Sequence, residues 1–253
     1  MVEKMAKIIF MTSVIVFSTI ANANTCKFDS LPIDIESNDA EIHQVWKIKN
    51  YDYLWSSVLS DNTAFSDFRT KIANLLDPSS DLLLQRQYEI YSNSDNPQTL
   101  LEAENMKLAK DGTAGKINTI NCLESLIFAA QAERYPMDSH PTEFIANILR
   151  REFSDGTYLK IYFSASDKPY PPVRFDLIEH DLASGWKFFA SFHNHPFFLV
   201  NYPNGDFQGG TAPSINDTHL CRKVSERLGL QNAWITNGFD TIHIKADEFN
   251  IFH

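Results

Sequence analysis

The sequence predicts a mixed α/β fold of the α+β kind, a mixed sheet flanked by helices and preceded by a mainly helical region. Three observations carry that prediction. Apolar residues recur at helical spacing before residue 115, and beyond it short aromatic and β-branched blocks alternate with helix-length segments. One of those segments, residues 214–228, carries a start signal at Ser214 and a stop signal at Gly229. A chain of 253 residues accommodates one large domain or two small ones. Its formal net charge of −10, without any basic run, argues against nucleic acid as a partner.

Taken in order, the first segment is an export signal. Lys4 and Lys7 precede an apolar stretch over residues 8–20, and Ala21-Asn22-Ala23 has the small-x-small form of a cleavage site. Cleavage after Ala23 is expected, leaving a secreted or periplasmic chain with no stable membrane anchor, because the apolar run is short of the roughly 20 residues a span needs. Residues 24–115 are expected to be mainly helical. Phe65, Phe68, Ile72 and Leu75 keep helical spacing, and a further helix follows Asn96-Pro97. The two glycines within residues 110–116 mark the break before a second domain, 116–253. There residues 141–153 read as a helix; residues 158–164, 175–181 and 186–193 read as strands. After the helix at 214–228 come strands at 233–236 and 241–245, joined by an Asn237-Gly238 hairpin.

The chemistry concentrates where a strand ends and a helix begins. In a strand, residues two apart face the same side, so His193 and His195 converge; on a helix, Ser214 and Asp217 are neighbours. Two imidazoles and a carboxylate leave the fourth position of a tetrahedral zinc open to water, the arrangement of catalytic rather than structural zinc. Each half has a plainer reading. A His-x-His pair occurs on ordinary surfaces, and Ser214 with Asp217 three residues on also reads as a capping box at a positive helix terminus.

The combination His193-x-His195-Pro196 with Ser214-x-x-Asp217 resembles the signature of the MPN/JAMM metalloprotease family over roughly residues 117–245. The resemblance implies an MPN-type sheet and Zn2+ held by His193, His195 and Asp217. It also implies that Ser214 stabilises a tetrahedral intermediate and that an upstream Glu is the general base. The span from Pro196 to Pro213 is longer than is usual in the family. With Phe197, Phe198, Tyr202, Phe207 and Gly209-Gly210, it is expected to shape or cover the substrate groove.

For the base, Glu124 ranks first, because a carboxylate inside the apolar run 120–130 is costly to bury without a purpose. Glu143 ranks second, with a first-turn helix acid as its structural reading; Glu133 and Glu179 follow. The expected activity is hydrolysis of a peptide or isopeptide bond in a protein or peptide substrate by water activated at zinc. Two other readings stand beside it: a catalytically silent MPN-type protein-binding domain, and a zinc amidase acting on a cell-wall peptide. His219, about 200° around the helix from Asp217, should face away from the metal, while Cys221, and Cys122 if its run is a strand, should lie near the site. One disulfide among Cys26, Cys122 and Cys221 is expected, the pairing open; a bond from Cys26 to either of the others would tie the mature N-terminus to the second domain. His140, His180 and His243 are expected to be structural.

Overall fold

A computed structural model describes residues 25–38, 40–168, 171–199 and 208–253. The export signal therefore lies outside the described residues, as do residues 200–207 of the long span. Among the described residues the architecture is a mixed α/β fold with an eight-stranded mixed sheet and six α-helices. None of these helices is long and apolar enough to cross a membrane.

The chain enters as β1 (Ile33–Asp34) and β2 (Glu41–Lys49), then packs α1 (Thr63–Leu75), α2 (Ser80–Tyr91) and α3 (Pro97–Lys110) before β3 (Lys116–Thr119) and α4 (Cys122–Arg134). The remainder is β4 (Phe144–Phe153), β5 (Gly156–Ser166), α5 (Phe175–Ala183), β6 (Lys187–Asn194), α6 (Ile215–Leu228), β7 (Asn232–Thr236) and β8 (Asp240–Lys245). The strand order is β1-β2-β5-β4-β6-β7-β8-β3, antiparallel at every step except β6 to β7.

Residues 24–115, expected to be mainly helical, carry α1, α2 and α3 and also build part of the sheet, since β2 pairs with β5 from Glu41↔Ser166 to Lys49↔Tyr158. Four expectations are corrected. Residues 144–153 form a strand rather than a helix. β4 lies between β5 and β6 and is buried on both faces from Phe144 to Leu149, which replaces the alternating pattern of a half-exposed strand with a run that is apolar except for Asn147. Residues 175–183 form a helix rather than a strand, with Ile178 and Asp181, three apart, as its buried face. The run around Glu124 is also helical. Leu75, assigned to the core stripe of α1, is exposed, whereas Phe65, Phe68 and Ile72 are buried.

Side-chain alternation divides the interior into two apolar layers on opposite faces of the sheet. One is built from Phe144, Ala146 and Ile148 of β4, Phe192 of β6 and Trp234 of β7, under α1 and α4. The other takes Ile235 of β7 and Ile242 of β8 under Leu84 of α2, Met106 of α3, Ile178 of α5 and Val224 of α6. A disulfide between Cys26 and Cys122, 96 residues apart, ties the start of the described chain to α4, and Cys221 is free.

Candidate metal centre

β6 delivers the two histidines. Phe192 points into the layer under α4, so Ser191 and His193 face the opposite side, and the sheet pairs His193 with Ile145 of β4 and Ile235 of β7. His195 lies just beyond β6, but its backbone N–H donates to the Thr236 carbonyl at 2.8 Å, which carries the strand geometry one step further. The two rings stand 5.2 Å apart. Opposite them α6 begins with a full capping box: Asp217 N–H donates to Ser214 Oγ at 3.2 Å, and Ser214 N–H donates to Asp217 Oδ2 at 2.8 Å. Gly229, at φ 74°, closes the helix in the left-handed conformation.

Three potential ligand side chains meet between these elements, each histidine facing a different oxygen of the one carboxylate. His193 Nε2 and His195 Nε2 are 3.3 Å apart, His193 Nε2 is 3.4 Å from Asp217 Oδ1, and His195 Nε2 is 3.3 Å from Asp217 Oδ2. Among the described residues this is the group of His, Cys, Asp and Glu side chains that can hold a metal ion. The spacing suits a small divalent metal ion: metal–nitrogen and metal–oxygen bonds of about 2.05 Å at the tetrahedral angle, as zinc makes, give ligand–ligand distances of about 3.3 Å.

The surroundings fix these ligands in the orientation a metal requires. His195 Nδ1–H donates to the Gly210 carbonyl at 2.8 Å, which leaves the Nε2 lone pair facing the cluster. Ser214 Oγ donates to Asp217 Oδ2 at 2.7 Å, so the hydroxyl expected to meet an oxyanion is engaged in holding the carboxylate. Gly210 is itself clamped from the N-terminal region, since a Cβ there would run into Gln87 Oε1 of α2. Thr211 donates to Ser80 Oγ at 3.1 Å, and the buried Asn105 of α3 donates to the Pro213 carbonyl at 3.1 Å. The helical region thus positions the segment that orients His195 and starts α6.

Charge is concentrated here. Burial alone would raise the Asp217 carboxyl, but His193 and His195 hold it well below the usual carboxylate range. Burial alone would lower His195, but Asp217 pushes it up to about 9. Without a metal the cluster therefore retains a proton on His195, at the place a dication would take.

Glu124 does not reach the cluster. It is the N3 residue of α4, where Asn121 N–H donates to its Oε2 at 2.8 Å and His243 Nε2–H donates to its Oε1 at 2.6 Å. His243 stacks on Trp234, whose side chain belongs to the layer under α4, so the pair lies across the sheet from His193. Its burial has a structural cause, a helix cap joined to a strand. Glu143 is the carboxylate that shares the site. It lines the same cleft as His193, His195, Ser214 and Asp217, two residues before Ile145 and therefore on the His193 face. Burial raises its carboxyl above the ordinary value, against the pull of His195 and His193. Glu133 is bonded to Asn62, and Glu179 to Arg227.

One positioning residue escaped the sequence reading. Asn194, the middle residue of the His-x-His motif, is fully buried; it accepts from Phe144 N–H at 2.7 Å and donates to the Thr142 carbonyl at 3.1 Å. These bonds flank Glu143 on both sides. Its signal was present in the motif, but a side chain on the opposite face from both ligands invites no attention until β4 is known to lie beside it.

The cleft has a volume of about 570 Å³, and α2 and α3 form one wall. Cys221 lines it as expected from its helical position, and burial pushes its thiol up to about 12, so it stands there as a neutral group. Cys122 is in the disulfide on the far side, contrary to the expectation that placed it near the site. His219 is exposed, facing away from the ligands. The chain matches no protein-family model, no curated protein and no solved structure.

Proposed function

We propose that the chain is a zinc-dependent hydrolase of the MPN/JAMM type, secreted or periplasmic, which cleaves a peptide or isopeptide bond. His193, His195 and Asp217 hold the metal in this reading and Glu143, rather than Glu124, is the general base. The observation that carries it is the 3.3–3.4 Å spacing among the side chains of His193, His195 and Asp217, the latter two oriented by Gly210 and Ser214, with a carboxylate of raised proton affinity on the same cleft.

Zinc in such a site lowers the pKa of a water in its open position toward about 7 and polarises a carbonyl. The chain does the rest. Glu143 takes a proton from the attacking water and returns it to the leaving amine, a role favoured by its raised carboxyl. Ser214 keeps Asp217 directed at the metal, and Asn194 holds Glu143 opposite the two histidines. The long span after Pro196 borders the cleft through Gln208 and Gly209, so it contributes to the substrate groove. No covalent acyl intermediate is required.

Metal analysis tests this directly. The purified chain should carry one zinc, lose it with His193→Ala or Asp217→Ala, and show hydrolysis of a quenched-fluorescent peptide pool that chelation abolishes and zinc restores. A wild-type chain that takes up no zinc at micromolar metal sinks the proposal.

A further inference from the structure

We infer that the cleft selects a substrate with a cationic side chain beside the scissile bond, a lysine or arginine, and that Glu102 of α3 is the residue that recognises it. The inference rests on the zinc-hydrolase reading and adds to it a substrate class.

Apart from the two histidines of the candidate metal centre, the ionisable side chains that carry fixed charge in the cleft are acidic. Among the described residues it has three carboxylates, Glu102, Glu143 and Asp217, and no Lys or Arg. Two of the three already have a task. Asp217 is bonded to Ser214 and faces both histidines, and Glu143, just before β4, lines the cleft with them. Glu102 has none: among the described residues no hydrogen bond or ion pair reaches its carboxylate, although the group is partly buried. Burial and the nearby Asp217 raise its carboxyl above the ordinary value, against the pull of His195. A cation entering the cleft would offset that rise.

Nearby cations of the chain are otherwise engaged. Arg174, between the cleft residues Val173 and Phe175, is paired with Asp176 at 3.0 Å and Glu36 at 2.7 Å. The apolar part of a long cationic side chain also has a place. Met106 lies four residues after Glu102, on the same face of α3, and lines the cleft with it. A lysine or arginine stem can lie along that thioether with its charged end at the carboxylate.

The test uses equilibrium binding of two probes that differ in one group. Lysine hydroxamate and norleucine hydroxamate share a metal-binding head and a four-carbon stem, and one alone ends in an ammonium. Both are titrated by calorimetry into the full chain, after wild type and Glu102→Gln have each been shown to carry one zinc. The lysine probe should bind wild type about tenfold more tightly at low salt, as expected for one partly screened ion pair. The preference should vanish in Glu102→Gln. Equal binding of the two probes to zinc-loaded wild type overturns the inference, as does a lysine preference that survives Glu102→Gln. A chain that takes up no zinc fails at the earlier step, and the hydrolase reading falls with it.

Discussion

The two candidate bases make opposite demands on a pair of isosteric substitutions. Glu124 is fully buried with both oxygens occupied, Oε1 by His243 and Oε2 by the Asn121 N–H. Glu124→Gln keeps one acceptor, turns an NH2 group toward a donor and removes the charge that pairs with His243. A buried mismatch of that kind costs about 2 kcal/mol, and for a chain of this size each 1 kcal/mol lowers Tm by about 2–4 °C. Glu124→Gln should therefore melt roughly 4–8 °C lower, with turnover per folded molecule unchanged. Glu143→Gln removes a carboxylate from a cleft and breaks no hydrogen bond of a cap. Its Tm should stay within about 2 °C and its zinc content at one, while turnover falls by about 10²- to 10⁴-fold, the usual contribution of a positioned general base. Calorimetric melting, metal analysis and hydrolysis of the quenched peptide pool on the same preparations separate the two. Glu143→Gln retaining full turnover with zinc bound would refute the assignment, and loss of turnover in folded, zinc-loaded Glu124→Gln would refute the geometric argument against it.

Zinc uptake near pH 7.5 should release about one proton, because His195 is held protonated up to about 9 in the metal-free cluster; calorimetry in buffers of different ionisation enthalpy measures it. The same raised value gives the metal-free chain a stabilising contribution that is complete below about pH 6.5 and lost as pH rises through about 9, so its Tm should fall over that window. Gly210→Ala drives a Cβ into Gln87 and shifts the carbonyl that orients His195, so zinc affinity should drop by about 10- to 100-fold, recovering in the Gly210→Ala/Gln87→Ala pair, as read by competition with a chromophoric chelator. Asn194→Ala leaves the Phe144 N–H and the Thr142 carbonyl without their partner; denaturant titration should show a loss of about 2–4 kcal/mol.

What the sequence reveals and conceals follows from how local the causes are. α6 is legible to the residue, since Ser214 and Gly229 act within one turn of their own backbone, and the Asn237-Gly238 hairpin is fixed in the same way. β4 and α5 exchange appearances because tertiary neighbours decide them: a strand enclosed by β5 and β6 loses its alternation, and the burial of Ile178 and Asp181 has meaning once the sheet beneath α5 is in place. β2 is concealed for a related reason, its pairing with β5 lying more than a hundred residues along the chain. The general base shows the limit most sharply. Asn121-x-x-Glu124 and Ser214-x-x-Asp217 are the same capping box written twice, and both acids have an oxygen facing a histidine. At Glu124 that histidine is one ring on the opposite face of the sheet, which makes a structural hydrogen bond. At Asp217 there are two rings on the face that also carries Glu143, and two imidazoles converging on one carboxylate can hold a metal ion. Burial of a carboxylate therefore signals a purpose without identifying it. Here the deciding information is the parity of residues 143, 145 and 193 across two paired strands, which the sequence contains but which becomes readable once residues 144–153 are known to be a strand.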